Sequence, residues 1–139
     1  MMRHAVRAVL ALVLLLGLSL SSGAQSFDGS WLTTVSCENA RDALGYSYQF
    51  VSTVRNGSLH GLYGTEGEPS SLKIDGTIGP DGTGRLYASG RIGAKEYVPG
   101  RETPRGTQYS YNIEAHFAGT TGTGRRIEGR PCTFAFNKQ

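Results

Sequence analysis

From residue 107 to residue 117 the chain alternates without a break. Tyr109, Tyr111, Ile113, Ala115 and Phe117 share one parity, while Gln108, Ser110, Asn112, Glu114 and His116 share the other. Successive side chains of a β-strand point to opposite faces, so this period of two describes a strand with one face buried and the other wetted. The same period recurs along most of the chain, and no helical stripe competes with it.

Trp31, Thr33, Val35 and Cys37 form one face of a first strand, opposed by Thr34, Ser36 and Glu38. Tyr46, Tyr48, Phe50, Ser52 and Val54 form a second, ended by Asn56-Gly57, a strong short hairpin signal. The return runs over 58–63. Leu72, Ile74, Gly76 and Ile78 follow, and the turn Gly79-Pro80-Asp81-Gly82 leads into 85–92. Residues 93–106 read as a polar, exposed loop holding a short strand at 96–98. After the long strand, Gly119 to Gly124 turns the chain, 125–129 returns, and Cys132, Phe134 and Phe136 make the last apolar face.

The N-terminus is of another kind. Arg3 and Arg7 precede an apolar run from Ala8 to Leu20, and Ser22-Gly23-Ala24 supplies the small residues of a cleavage site before Gln25. Residues 1–24 are therefore expected to be a cleaved signal peptide, with 25–139 as a single domain. The apolar run is too short to span a bilayer. Loss of the leader removes Arg3 and Arg7, which leaves 12 basic against 11 acidic residues and lowers the formal charge from +3 to +1. So small a surplus gives no field suited to nucleic acid or to an anionic membrane.

Export carries Cys37 and Cys132 into an oxidising compartment, periplasmic or extracellular, where a disulfide persists. There is neither the Cys-x-x-Cys of a redox motif nor the further ligands of a zinc site. The two cysteines belong to the core faces of the first and last strands, so a bond between them fits a sheet closed on itself. The expected fold is all-β, a small up-and-down antiparallel barrel of about eight strands closed by one disulfide, with a β-sandwich as the competing arrangement. Closure removes the exposed edges of an open meander. Strands of a membrane barrel need about nine to eleven residues and aromatic girdles. Most strands here are shorter, so stable membrane insertion is not expected.

Phe27-Asp28-Gly29-Ser30-Trp31, with Gly-x-Trp entering the first strand of a meander, resembles the opening of lipocalin and avidin-like barrels. That resemblance implies small-molecule binding in a barrel mouth. Gly45-Tyr46-Ser47-Tyr48, Gly79-Pro80-Asp81-Gly82 and Arg130-Pro131-Cys132 look like small uncharacterised exported proteins of proteobacteria, a likeness that implies no activity.

Candidate chemistry is sparse. The glycines of Gly119-Thr120-Thr121-Gly122-Thr123-Gly124 join two strands, without the Lys-Ser/Thr and helix that a phosphate loop requires. His60 and His116 sit on wetted strand faces. No catalytic triad, paired carboxylates or metal-ligand spacing emerges, so the chain is read as not an enzyme, with no cofactor and no metal. Trp31, Tyr48, Tyr63, Tyr109 and Tyr111 are candidates for a ligand pocket, competing with their use as core. Arg91, Lys95, Arg101 and Arg105 surround the long loop, and Arg125, Arg126 and Arg130 line the later turn. Where the groups meet, Arg101, Arg105, Arg125 and Arg126 are candidates for an anion or partner patch. The expected function is an exported soluble binding module, for a small molecule at the mouth or for a protein through the loops. The alternative is an inhibitor of an exported enzyme, followed by an outer-membrane-associated barrel or an unrecognised enzyme.

Overall fold

In the computed structural model, which describes residues 26–139, eight antiparallel strands close into a barrel. The signal peptide expected over 1–24 lies outside the described residues. In chain order the strands are β1 (Gly29–Cys37), β2 (Tyr46–Arg55), β3 (Ser58–Tyr63), β4 (Leu72–Ile78), β5 (Thr83–Arg91), β6 (Gln108–Ala118), β7 (Thr121–Arg126) and β8 (Cys132–Lys138). Each pairs with the next, and β1 pairs with β8 from Trp31↔Lys138 to Cys37↔Cys132. The sandwich is thereby excluded, and the Cys37–Cys132 disulfide ties the last register pair of the closing seam.

Connections in an up-and-down barrel alternate between its two ends. The tight turns 56–57, 79–82 and 119–120 fall at one end, the floor, and the longer loops 38–45, 64–71, 92–107 and 127–131 at the other, the mouth. The same glycine-rich turns that punctuate the sequence therefore close one end tightly. Gly82 has φ +89°, and the backbone carbonyl of Phe117 lies where its Cβ would be, so a side chain is excluded there on two counts.

The inward parity of each strand supplies the core. Trp31, Val35, Val54, Leu59, Leu72, Ile74, Ile113, Phe117 and Phe136 are almost wholly buried. At the floor Trp31 meets Phe117 edge-on, with ring centroids 5.2 Å apart, and Phe117 lies 4.8 Å from Phe136. The segment before β1 completes this layer. Phe27 is buried against Trp31 and Phe117, and its carbonyl accepts a 2.8 Å hydrogen bond from the indole Nε1 of Trp31. Asp28 accepts bonds from the backbone N–H groups of Asn56 and Gly57, which fixes the adjacent hairpin turn. Midway up, Thr33 and Ser52 are buried polar groups that satisfy each other at 2.7 Å.

Two local expectations are corrected. The segment Gly119–Gly124 is not all turn, because β7 already begins at Thr121. Gly122 is a strand residue whose absent side chain leaves room for the Phe117 ring, which a Cβ would approach to 2.7 Å. The short strand expected at 96–98 is instead a single 3-10 turn, Lys95–Tyr97. It finds no strand partner because its loop folds across the mouth rather than along the sheet. Leu44 N–H donates to the carbonyl of Glu96, and Gly100 N–H donates to Oδ1 of Asp42.

The outer parity is polar along β6, with Gln108, Asn112, Glu114 and His116 all exposed. Among the described residues no helix is long and apolar enough to cross a membrane.

Candidate functional site

The aromatic residues of the core are not distributed evenly. The floor is filled by Phe27, Trp31, Phe117 and Phe136, whereas tyrosines gather at the mouth. β2 contributes Tyr46 and Tyr48, β3 Tyr63 and β6 Tyr109, all partly buried against the core. Tyr48 stacks on Tyr63 with centroids 4.2 Å apart and on Tyr46 at 5.8 Å, so three phenols form a continuous wall. Across the opening, the Tyr109 ring lies over Gly90 of β5. A Cβ at that glycine would fall 2.8 Å from the Tyr109 hydroxyl. Glycine at position 90 is what lets the phenol lie flat there.

Between these walls and beneath the 92–107 loop is a cavity of about 580 Å³. That volume falls within the range of small-molecule sites, roughly 300–1,000 Å³. Its lining combines the tyrosines with Tyr97, Val98 and Pro99 from the covering loop and three arginines, Arg91, Arg126 and Arg130, and includes no Asp or Glu.

Each arginine is held differently. Arg130 is 9% exposed and donates to the carbonyls of Glu38, Leu44 and Tyr97, knitting the 38–45 and 92–107 loops to the start of β8. Its Nε is buried and bonded to nothing among the described residues, and its guanidinium lies 5.1 Å from the Tyr46 ring centroid. Arg126 lies 4.1 Å above the Tyr111 ring centroid, with its Nε donating to the carbonyl of Glu128. The Glu128 carboxylate turns to Asn112, accepting from its backbone N–H and its side-chain amide. Arg91 donates to the carbonyl of Gly106. Among the described residues none of these three guanidinium groups is paired with a carboxylate.

Burial pushes the phenols of Tyr48 and Tyr111 well above the ordinary tyrosine range, and neighbouring phenols push them further. Tyr109 is pushed up to about 12, chiefly by burial and against the attraction of Arg126. Tyr46 is also raised by burial, and the Arg130 and Arg126 charges pull it back. The mouth therefore presents neutral hydroxyls and cationic guanidinium groups at neutral pH. Phenols of the unfolded chain ionise near pH 10. Folded-state values above that predict that the phenols' contribution to stability is complete below about pH 10 and is then steadily lost as pH rises through the window up to about 12 set by Tyr109 and beyond. Denaturant midpoints measured against pH, alongside tyrosinate absorbance, check this. Complete tyrosine ionisation near pH 10 in a barrel that stays folded would contradict it.

The residues anticipated from sequence separate clearly. Tyr48, Tyr63 and Tyr109 line the cavity. Tyr111 lies one layer deeper, 5% exposed and covered by Arg126, and Trp31 is in the floor at the opposite end. Of the arginines, Arg126 reaches the mouth. Arg101 is bound to the backbone carbonyl of Asp42, Arg105 to that of Gly93, and Arg125 pairs with Glu114 on the outer face at 3.0 Å. Arg91 and Arg130 join Arg126 instead. Parity alone could not reveal this, since Arg91 ends β5 and Arg130 lies in the loop before β8, where side-chain direction depends on how the loops cross the mouth. His60 and His116 are exposed on the outer face, His60 with its Nδ1 2.6 Å from Asp75. Among the described residues no group of three or more His, Cys, Asp or Glu side chains is placed to hold a metal.

Fold and site together define a closed eight-stranded antiparallel barrel with a filled floor and a tyrosine- and arginine-lined mouth. No protein family, curated protein or solved structure matches the chain.

Proposed function

We propose that this protein is a binding module that holds a small molecule in the mouth of its barrel, exported and free of the membrane. The observation that carries the reading is the mouth cavity of about 580 Å³, walled by stacked phenols above a fully packed floor. Small barrels ordinarily fill their interiors with their own side chains. Here the filling stops at the level of Tyr111, and the rings above it form the sides of the cavity. Rigid aromatic walls with polar hydroxyl tips suit a ligand that is flat and partly apolar. The likeness of Phe27-Asp28-Gly29-Ser30-Trp31 to the opening of lipocalin and avidin-like barrels agrees with binding at a mouth. A protein partner gripped through the loops is the lesser reading, because the 92–107 segment is bonded back across the mouth to Asp42 and Leu44 instead of projecting.

Native mass spectrometry of the protein isolated without denaturation from its own host tests the reading. The expected result is an oxidised monomer carrying a non-covalent adduct of roughly a few hundred daltons, as befits a cavity of this class. Tyr48→Ala, which removes the centre of the phenol wall, is expected to weaken adduct binding roughly tenfold or more while leaving the circular dichroism of the barrel intact. A bare monomer, or an adduct indifferent to Tyr48→Ala, would overturn the proposal.

A further inference from the structure

Resting on the reading of the mouth as a ligand site, we infer that its ligand is an amphipathic anion: a flat apolar body lying among Tyr46, Tyr48, Tyr63 and Tyr109, with one acidic group received by Arg126 and Arg130. The charge balance of the cavity is the starting point. Three guanidinium groups line it without a carboxylate among the lining residues, and none of the three is ion-paired among the described residues.

Arg130 is the most telling of them. A buried charge is ordinarily paired, because removing a guanidinium from water without an opposing charge is costly. Arg130 is buried, the three hydrogen bonds it donates all go to neutral carbonyls, and its Nε has no partner among the described residues. Carbonyl oxygens satisfy hydrogen bonds but do not neutralise the charge. A negative group in the cavity would do so in surroundings where screening by water is weak.

Arg126 supplies the second half of the receptor. Its charge and that of Arg130 both act on the Tyr46 phenol, pulling its titration downward against burial, so Tyr46 stands within electrostatic reach of both. Arg126 is braced from below by the Tyr111 ring and from the side by Gly129, where a Cβ would come within 2.6 Å of its guanidinium. Gly129, at φ +82°, therefore allows the main chain to pass close beside the charged group. Arg126 comes from β7 and Arg130 from the loop before β8, whereas the stacked Tyr48 and Tyr63 rings come from β2 and β3, so the charged and apolar parts of the lining belong to different stretches of the barrel wall. This division favours a molecule with one acidic end and one planar end over a uniformly charged sugar phosphate or a neutral lipid. Carboxylate, sulfonate and phosphate monoesters share the required chemistry.

Two fluorescent probes with the same aromatic body separate the inference from the reading beneath it. Anilinonaphthalene sulfonate carries an anion, and phenylnaphthylamine lacks it. The folded protein is expected to bind the sulfonate saturably at one site, more tightly than the neutral probe, with a preference that weakens as salt rises. Arg126→Gln is expected to weaken sulfonate binding roughly tenfold or more and phenylnaphthylamine binding by much less, so that the preference for the sulfonate is lost, and Arg126→Lys to restore part of that preference. Because Arg130 also ties loops together, Arg130→Lys serves as the second variant, read for probe preference only where circular dichroism shows a native barrel. Equal binding of the two probes, insensitive to Arg126→Gln, would overturn the anion assignment and leave the mouth as a neutral-ligand site. Saturable binding of neither probe would overturn both.

Discussion

Replacing Cys37 and Cys132 together with alanine is expected to lower the stability of the protein by about 2–5 kcal/mol, with the barrel still formed in the absence of denaturant. The bond joins residues 95 positions apart, so it closes a loop containing nearly the whole domain. Cross-linking so long a loop removes much of the freedom of the unfolded chain, worth about 4.7 kcal/mol for roughly 100 residues by chain entropy alone. The folded state has independent reasons to bring these positions together. Seven register pairs join β1 to β8, and both sulfurs are buried among core residues. Loss of the bond should therefore act chiefly on the unfolded ensemble, with a smaller loss from the cavity left in the wall. Urea denaturation of oxidised wild type against Cys37→Ala/Cys132→Ala measures the difference. A change below about 1 kcal/mol would mean that the β1–β8 seam alone constrains the chain in both states. The seam borders the loops that Arg130 knits over the mouth, so, on the proposed function, probe affinity is expected to fall in the same variant.

Trp31→Ala should be as damaging, at about 3–5 kcal/mol, for a different reason. Trp31 is the chain's only tryptophan and is fully buried. Its removal leaves a void bordered by Phe27, Phe117 and the stem of Lys138, whose Nζ lies 5.9 Å from the indole centroid. It also deprives the Phe27 carbonyl of its donor. Domains of this size are stable by only about 5–15 kcal/mol, so the variant will be near its limit. Trp31→Phe separates the two contributions, since it keeps an aromatic ring in the floor but loses the indole N–H. About half the loss is expected from it. Unfolding followed by circular dichroism gives both values, because the tryptophan signal is lost with the residue. A loss under about 1 kcal/mol for Trp31→Ala would mean that Phe27 and Phe117 collapse into the space.

These two variants also distinguish the ends of the molecule. On the proposed function the floor is a packing site and the mouth a binding site, so a folded Trp31→Phe protein is expected to retain the probe affinities of the wild type, whereas Tyr48→Ala is not.

Much of this architecture was legible in residue order. The alternation Tyr109, Tyr111, Ile113, Ala115, Phe117 predicted β6 with its inward face, and Trp31, Thr33, Val35, Cys37 did the same for β1. Strand period is a property of the backbone itself, so it survives any arrangement of neighbours. Asn56-Gly57 and Gly79 to Gly82 were equally legible, because their turns depend on local backbone conformation. The glycines of β7 were less so. Gly122 and Gly124 look like turn residues in sequence, and their role as space for Phe117, Ile113 and Ala115 exists only once β6 is alongside.

The site followed the same division. Parity determined that the tyrosines point inward, but inward residues at the floor and at the mouth are indistinguishable by parity, and Trp31 and Tyr48 appear equivalent until their heights in the barrel are known. Residue order was enough for the strands, their inward faces, the tight turns and the pairing of the only two cysteines, all consequences of local backbone geometry and of simple count. It took the folded barrel to establish that packing ends below the mouth, that the 92–107 loop crosses it, and that Arg91, Arg126 and Arg130 converge there with no carboxylate among the described lining residues. Those facts depend on contacts between residues as distant in the chain as Glu38 and Arg130, and no local periodicity encodes them.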